Sequence, residues 1–383
     1  MAKKKTYGLG KESGGPTIAA PNLPYHPKNP RRYNPPIGLI GCGGISEQHL
    51  TAYRKAGYNV VALCDLIPER AENGRRQFFP DAQTYTDYRD LLKRDDIEVV
   101  DIATHPKERA YLIPASLKAR KHTLSQKPFV LDLDKGYHFA KLADQKGVLL
   151  AVNQNGRWAP QFAYTRLAVG NGLLGDILAA HLHCHWNHDW ITPTIFNRVH
   201  HIILYDYAIH WFDILTCIMG DAQAKRVYAT ICHAHGQTAT PPLLGETIIE
   251  YDGAQATLAF DGFTQFGQLD TIYVAGTKRT INSQGKGSGC HEQLLLSTTK
   301  GIAAPKLEGS WFPGGFLGSM SELLRAVEEK RSPLNSARDN LRGLAVCFAA
   351  VISAETGQPQ IPGKIRKLTR NVSPRRINVK PRR

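Results

Sequence analysis

Several features that would fix a function class at once are missing from this chain. No apolar run approaches the roughly 20 residues that a membrane-spanning helix needs. The basic start MAKKK is not followed by a hydrophobic segment, so neither a membrane protein nor a cleaved leader is expected. The cysteines, Cys42, Cys64, Cys184, Cys217, Cys232, Cys290 and Cys347, show no CxxC spacing. They are odd in number and scattered, and several sit in apolar stretches, which predicts reduced, mostly buried thiols rather than a disulfide framework or a cysteine-built zinc cluster. A cytoplasmic protein is the expectation. No internal repeat is visible.

The body of the chain also lacks net charge. The formal total of +15 suggests a nucleic-acid partner until it is located. Residues 1–33 hold seven Lys/Arg and one Glu, residues 364–383 hold nine Lys/Arg and no acid, and the body between them carries 32 basic and 32 acidic residues. A neutral body does not read as a DNA-binding surface, and Pro-rich basic tails of this kind are expected to be solvated or to lie over a neighbouring subunit.

What is present is length and pattern. With 383 residues and 42% hydrophobic content, the chain can bury a substantial core and divide into two or three domains. From Ile37 the sequence reads strand, glycine turn, helix, strand, helix, and further short β-type runs at 97–104, 121–124 and 147–155 continue a parallel sheet. Beyond Trp158 the pattern changes. A helix over 161–169, a strand LAAHLHCHW, a helix over 205–219 and strands at 226–234, 246–251, 255–260 and 271–275 predict an antiparallel or mixed sheet, with Asp252-Gly253 as a hairpin turn. Residues 281–315 are Gly/Ser-rich and carry no assignment. Helices over 318–330, with Ser319 or Ser321 as cap, and 335–355 close the fold. The expected organisation is an extension at 1–35, a nucleotide-binding domain at 36–157, a substrate and oligomerisation domain at 158–362, and a basic tail at 363–383.

The turn Gly41-Cys42-Gly43-Gly44-Ile45-Ser46 follows a strand and opens a helix, the context that a dinucleotide fingerprint requires. Gly41 allows the tight turn, Gly43 lets backbone amides approach a pyrophosphate, and the small Ser46 allows close helix packing. Asp65 ends the second strand, where a carboxylate accepts hydrogen bonds from the ribose hydroxyls of NAD; Arg70 could instead meet the 2′-phosphate of NADP, which is less favoured.

These residues, with three further stretches, resemble the glucose-fructose oxidoreductase, inositol dehydrogenase and rhizopine-catabolism family (Gfo/Idh/MocA) over about residues 36–355. Thr104-His105-Pro106 stands at the family's turn near the nicotinamide ribose. Ser125-Gln126-Lys127-Pro128 matches its Glu-Lys-Pro segment. Asp206 to Asp213 matches its Asp-x-x-x-His-x-x-Asp helix. Two departures are visible: Gln126 replaces the glutamate, and Arg109 stands near the place of the family's histidine. The resemblance implies a Rossmann doubly wound parallel sheet followed by an α+β domain whose large, open, mostly antiparallel sheet packs against another subunit in a dimer or tetramer. It also implies a nicotinamide cofactor held by Gly41, Gly43, Gly44, Ile45, Ser46, Asp65, Arg70, Thr104, His105, Gln126 and Lys127.

Oxidising a secondary alcohol needs a hydride acceptor and a base. Asp206 and His210 lie four residues apart on one predicted helix and so share a face. The resemblance makes His210 the base or relay, Lys127 the group at the reacting hydroxyl, and Asp206 the group that orients the sugar. Candidate substrate contacts are Lys127, Arg157, His185, Trp186, Asp206 and His210, with Trp190, His200 and His201 nearby as a sugar-binding wall. His181, His183 and His185 would line one face of a strand, a row that suits substrate hydroxyls or an interface better than a metal. The expected activity is hydride transfer between NAD and a sugar, inositol or related polyol. The rival readings are glycoside cleavage by transient oxidation and elimination, and a non-catalytic ligand sensor.

Overall fold

Buried apolar runs that alternate with helices set the first half of the molecule. The computed structural model describes residues 15–199, 201–286 and 291–368; His200, Cys290 and most of the basic tail lie outside them. After a two-residue strand, β1 (Thr17–Ile18), come β2 (Ile37–Ile40), α1 (Ser46–Ala56), β3 (Val60–Cys64), α2 (Pro68–Phe78), β4 (Gln83–Tyr85) and α3 (Tyr88–Leu92). They are followed by β5 (Val99–Ile102), α4 (Pro106–Lys118), β6 (His122–Gln126), α5 (Leu133–Lys146) and β7 (Leu150–Asn153). Strands β2 to β7 form one parallel sheet in the order β4-β3-β2-β5-β6-β7. Every residue of β2, β5 and β7 is buried, because helices on both faces leave a parallel strand no solvent side. The strand order reverses between β2 and β5, which opens a crevice beyond their carboxyl ends.

The second half builds a larger sheet. Its elements are α6 (Pro160–Gly170), β8 (Ile177–His185), a π-helical turn at Ile202–Tyr207, α7 (Ile209–Met219), β9 (Arg226–Cys232), β10 (Leu244–Glu250) and β11 (Gln255–Asp261). Then follow β12 (Leu269–Gly276), β13 (Thr280–Gly285), β14 (Gln293–Thr298), β15 (Gly301–Ala303), α8 (Gly314–Glu328) and α9 (Ala337–Thr356). The sheet runs β1-β15-β14-β13-β12-β8-β11-β10-β9 and is antiparallel except where β8 meets β11 and β1 meets β15. Its strands alternate. Ala180, Leu182 and Cys184 of β8, Leu258 and Phe260 of β11, and Ile272 and Val274 of β12 are buried, on the face where α7 meets β8, and their neighbours in sequence face outward. Asp252-Gly253 forms the tip between β10 and β11, whose register begins at Glu250↔Gln255. Among the described residues no helix is long and apolar enough to cross a membrane.

Three regions differ from their sequence reading. The unassigned stretch 281–315 supplies most of β13 together with β14 and β15; TINSQG alternates buried and exposed residues, but its buried positions include Ser283 and Gly285, too weakly apolar to register as a strand face. Helix α8 begins at Gly314, preceded by Pro313. Ser319 and Ser321 are therefore interior, and Ser321 Oγ lies 2.7 Å from the Tyr58 hydroxyl, where α8 packs against α1. Residues 15–35 lie along their own chain. Here β1 pairs with β15, Pro21 C=O accepts from the Tyr164 hydroxyl at 3.0 Å, and Asn29 accepts from Tyr58 and Ser321 at 2.9 and 3.0 Å. The Arg31, Arg32 and Tyr33 amides donate to the Glu328 carboxylate at 2.8, 2.7 and 3.0 Å. The segment is a strap over both sheets.

Candidate active site

The glycine turn sits at the mouth of the crevice. Gly41 has φ +99°, and a Cβ there would stand 2.7 Å from Thr104 Cγ2, so only glycine lets the β2 and β5 turns approach this closely. A Cβ at Gly43 or Gly44 would meet nothing within 4 Å, which leaves a bare backbone cradle. Ile45 leads into α1 and Ser46 donates from Oγ to Gly43 C=O at 2.6 Å. Asp65 Oδ2 accepts from the Cys42 amide at 2.8 Å and Oδ1 from the Ile67 amide at 2.9 Å. Each oxygen keeps a lone pair for a ribose hydroxyl. Arg70 is exposed on α2. The open cradle at a helix N-terminus, with a carboxylate at the end of the next strand, fits a dinucleotide.

On the far side of the crevice, Thr104 Oγ1 is buried and has no protein partner among the described residues. His105 packs its ring 5.7 Å from Phe196 of the second half. Gln126 is buried, and its Oε1 accepts from the Lys127 amide at 2.8 Å. Lys127 Nζ reaches across to the second half, donating to Asp206 C=O at 2.9 Å and to Asp206 Oδ2 at 3.2 Å.

Asp206 belongs to the π-helical turn, where Ala208 N–H bonds back to Ile203 C=O at 2.9 Å. The regular helix expected over 205–219 therefore starts only at Ile209, and the wider turn carries Asp206 to Lys127. His210, one turn on, is buried, with its ring 5.2 Å from Trp311. Trp311 is held in turn by a 2.7 Å bond to Asn155 Oδ1. His210 Nδ1 has no partner among the described residues. Burial, and then the Lys127 charge, hold this imidazole well below the usual histidine pKa, so at neutral pH it is an uncharged proton acceptor.

The other expected contacts lie elsewhere. Arg157 is sealed inside, paired with Asp213 through two 2.6 Å bonds and with Asp339 at 2.7 Å. Its guanidinium ties the chain after β7 to α7 and α9 and does not reach the crevice. His185 faces outward on β8 and meets Asp261 at 2.5 Å; on the same face Thr257 Oγ1 lies 2.7 Å from His181 and 3.3 Å from His183. Trp186 packs behind the π turn, 5.4 Å from the Tyr207 ring.

Two residues join the site that were not among the sequence's site candidates, although Arg109 was noted near the place of the family's histidine. His188 packs its ring 4.1 Å from Tyr207, tilted, and 5.1 Å from Trp190, edge-on, close enough to Lys127 and Asp206 to feel both charges, and burial draws its pKa down to about 4. Its even number was the available signal, because it breaks the outward parity of His181, His183 and His185. Arg109 is buried beneath the Thr104 turn; Pro106 at the first position of α4 places it one turn into that helix.

Comparisons with known proteins identify the family. Residues 36–154 match the family model described as oxidoreductase family, NAD-binding Rossmann fold, and residues 162–282 match the GFO/IDH/MocA C-terminal domain. The chain is 26% identical over 352 residues to D-apiose dehydrogenase of Paraburkholderia graminis, covering 84% of this chain and 88% of that one. It is 24% identical over 327 residues to inositol 2-dehydrogenase of Rhizobium meliloti, covering 83% and 96%. An oxidoreductase from Agrobacterium radiobacter, solved with NAD+, L-tartaric acid and magnesium, shares the fold at a TM-score of 0.78 and 21% identity, covering 86% of this chain and 99% of that one. The two family models take in the whole parallel sheet and strands β8 to β12 of the larger one, and the chain therefore belongs to the Gfo/Idh/MocA family of NAD-dependent oxidoreductases.

Proposed function

We propose that this protein is a dehydrogenase of a sugar, inositol or related polyol, acting on a secondary alcohol in the crevice between its two halves. The observation that carries the reading is the meeting of Lys127 with Asp206 beside the buried, uncharged His210. Bound NAD supplies the hydride acceptor or donor. His210 takes the hydroxyl proton, Lys127 donates a hydrogen bond to the reacting oxygen, and Asp206 holds Lys127 and orients a neighbouring hydroxyl. Gly41, Gly43, Gly44 and Ser46 hold the pyrophosphate, Asp65 the adenosine ribose, and Thr104 and Gln126 the nicotinamide side. Trp190, Tyr207 and His188 supply an aromatic wall of the kind that covers the apolar face of a sugar ring. The dehydrogenases of apiose and inositol among the relatives support this substrate class. Purified protein with NAD+ is tested on myo-inositol, scyllo-inositol, D-apiose and common aldoses at the nicotinamide absorbance band. Reduction with at least one is expected; none with any would end the reading.

The same reading includes assembly through the open sheet. Its outer face carries, in register, Tyr228, Ile248, Thr257, His181, Tyr273, Asn282 and Leu295, with Ile248 52% exposed. A homo-oligomer is expected by light scattering, and Ile248→Glu should dissociate it. Among the described residues six cysteines are unpaired, which fits a reducing, cytoplasmic setting.

A further inference from the structure

Arg109 is a buried cation whose side-chain hydrogen bonds all go to backbone carbonyls, its Nε having no partner among the described residues. It is 1% exposed. Its Nη1 donates to Thr104 C=O at 2.6 Å and, at 3.4 Å, to Lys127 C=O, while Nη2 donates to Pro128 C=O. These three carbonyls belong to the two segments that flank the crevice: the turn after β5 and the segment after β6. None belongs to a helix interior or a sheet ladder. The Lys127 peptide is therefore gripped from both ends, its N–H by Gln126 Oε1 and its C=O by Arg109.

We propose that Arg109 is a positioning residue, whose guanidinium locks the Thr104 turn to the Lys127–Pro128 segment and so sets where the Lys127 ammonium stands against Asp206. This rests on the role given to Lys127 above. The chemistry selects arginine. A planar fork with several fixed donors spans acceptors on two segments at once, whereas a lysine ammonium presents a single point. Desolvation draws the guanidinium down to about 10, with the Tyr205 and Asp206 charges opposing the fall, so it stays charged at neutral pH and its bonds to the carbonyls are charge-assisted.

The test uses full-length protein with Arg109→Lys and Arg109→Gln, checked for folding by thermal unfolding. The first readout needs no turnover. Lysines are reductively methylated with 13C-formaldehyde, and the Lys127 signal is assigned by its loss in Lys127→Arg. The expected result is that the Lys127 chemical shift moves toward that of solvated lysines in both Arg109 variants. The second readout is kcat with NAD+ and myo-inositol. A fall of about 10- to 100-fold is expected, the scale for roughly 1 Å of misplacement, with NAD+ affinity within about threefold and no further loss when Arg109→Lys is added to Lys127→Met. An unmoved Lys127 signal, a loss that simply multiplies that of Lys127→Met, or variants that do not fold would each overturn the proposal; the last outcome makes Arg109 a core residue. If the unsubstituted protein turns over nothing on the whole polyol panel, the dehydrogenase reading fails while the methyl signal still decides Arg109.

Discussion

Lys127, just after β6, and Asp206, in the π turn, come from different halves of the fold and meet twice, through the Asp206 carbonyl at 2.9 Å and its carboxylate at 3.2 Å. The ammonium is thus aimed by a main-chain atom of the π turn as well as by a charge. Removing it by Lys127→Met should lower kcat by about 10²- to 10³-fold, the usual scale for a group that assists proton transfer. NAD+ affinity, followed by fluorescence titration, should stay within about threefold.

The state of His210 makes a prediction about pH. A base must be uncharged, and burial with the Lys127 charge lowers the pKa of this imidazole. Activity should therefore hold as pH falls through the usual histidine range and fail only below it. A kcat/KM profile with an acid limb near 6.5, unchanged in His210→Asn, would exclude His210 as the base.

Asp65 joins the glycine turn to the end of β3 and offers its spare lone pairs to a ribose. Asp65→Ala should weaken NAD+ binding by about 10- to 100-fold, the loss of one or two charge-assisted hydrogen bonds, and narrow the preference over NADP+. Calorimetric titration with both nucleotides measures it; equal affinity losses for both would leave Asp65 a purely structural bond acceptor.

Stability should also report His188. Its folded pKa of about 4 lies below the unfolded value near 6.5, so the unfolded chain binds the proton first and stability drains away as pH falls from about 6.5 to 4. The full effect is on the order of 3 kcal/mol. His188→Asn should flatten that part of a plot of urea midpoint against pH.

Arg157 is expected to matter for folding and not for chemistry. Leaving the buried Asp213 without its cation by Arg157→Met should cost about 3–5 kcal/mol in denaturant unfolding. The folded fraction should keep its KM for both substrates.

The glycine turn and Asp65 were legible in sequence because local chemistry places them, a left-handed glycine after a strand and an acid at a strand end, whereas Lys127 was legible only through the family resemblance of its Gln-Lys-Pro segment. The spacing of Asp206 and His210 was legible too, but the π turn was not, since periodicity reading assumes bonds to the fourth residue back. Arg157 could not be assigned from its neighbours. Its partners Asp213 and Asp339 are chosen by packing between α7 and α9, and nothing near residue 157 announces them. His188 and Arg109 are site residues by folding alone, the first through the bend after β8 and the second through the start of α4.

The strap has a temporal side. Thr17 pairs with Ile302, so the first strand of the chain is synthesised long before the strand it needs, and Asn29 and the Arg31–Tyr33 amides likewise wait for Ser321 and Glu328 of α8. Contacts so distant in sequence form slowly because the intervening loop must close first. The segment at 15–35 therefore cannot dock before β15 and α8 have been made, and its β1 closes one edge of the larger sheet.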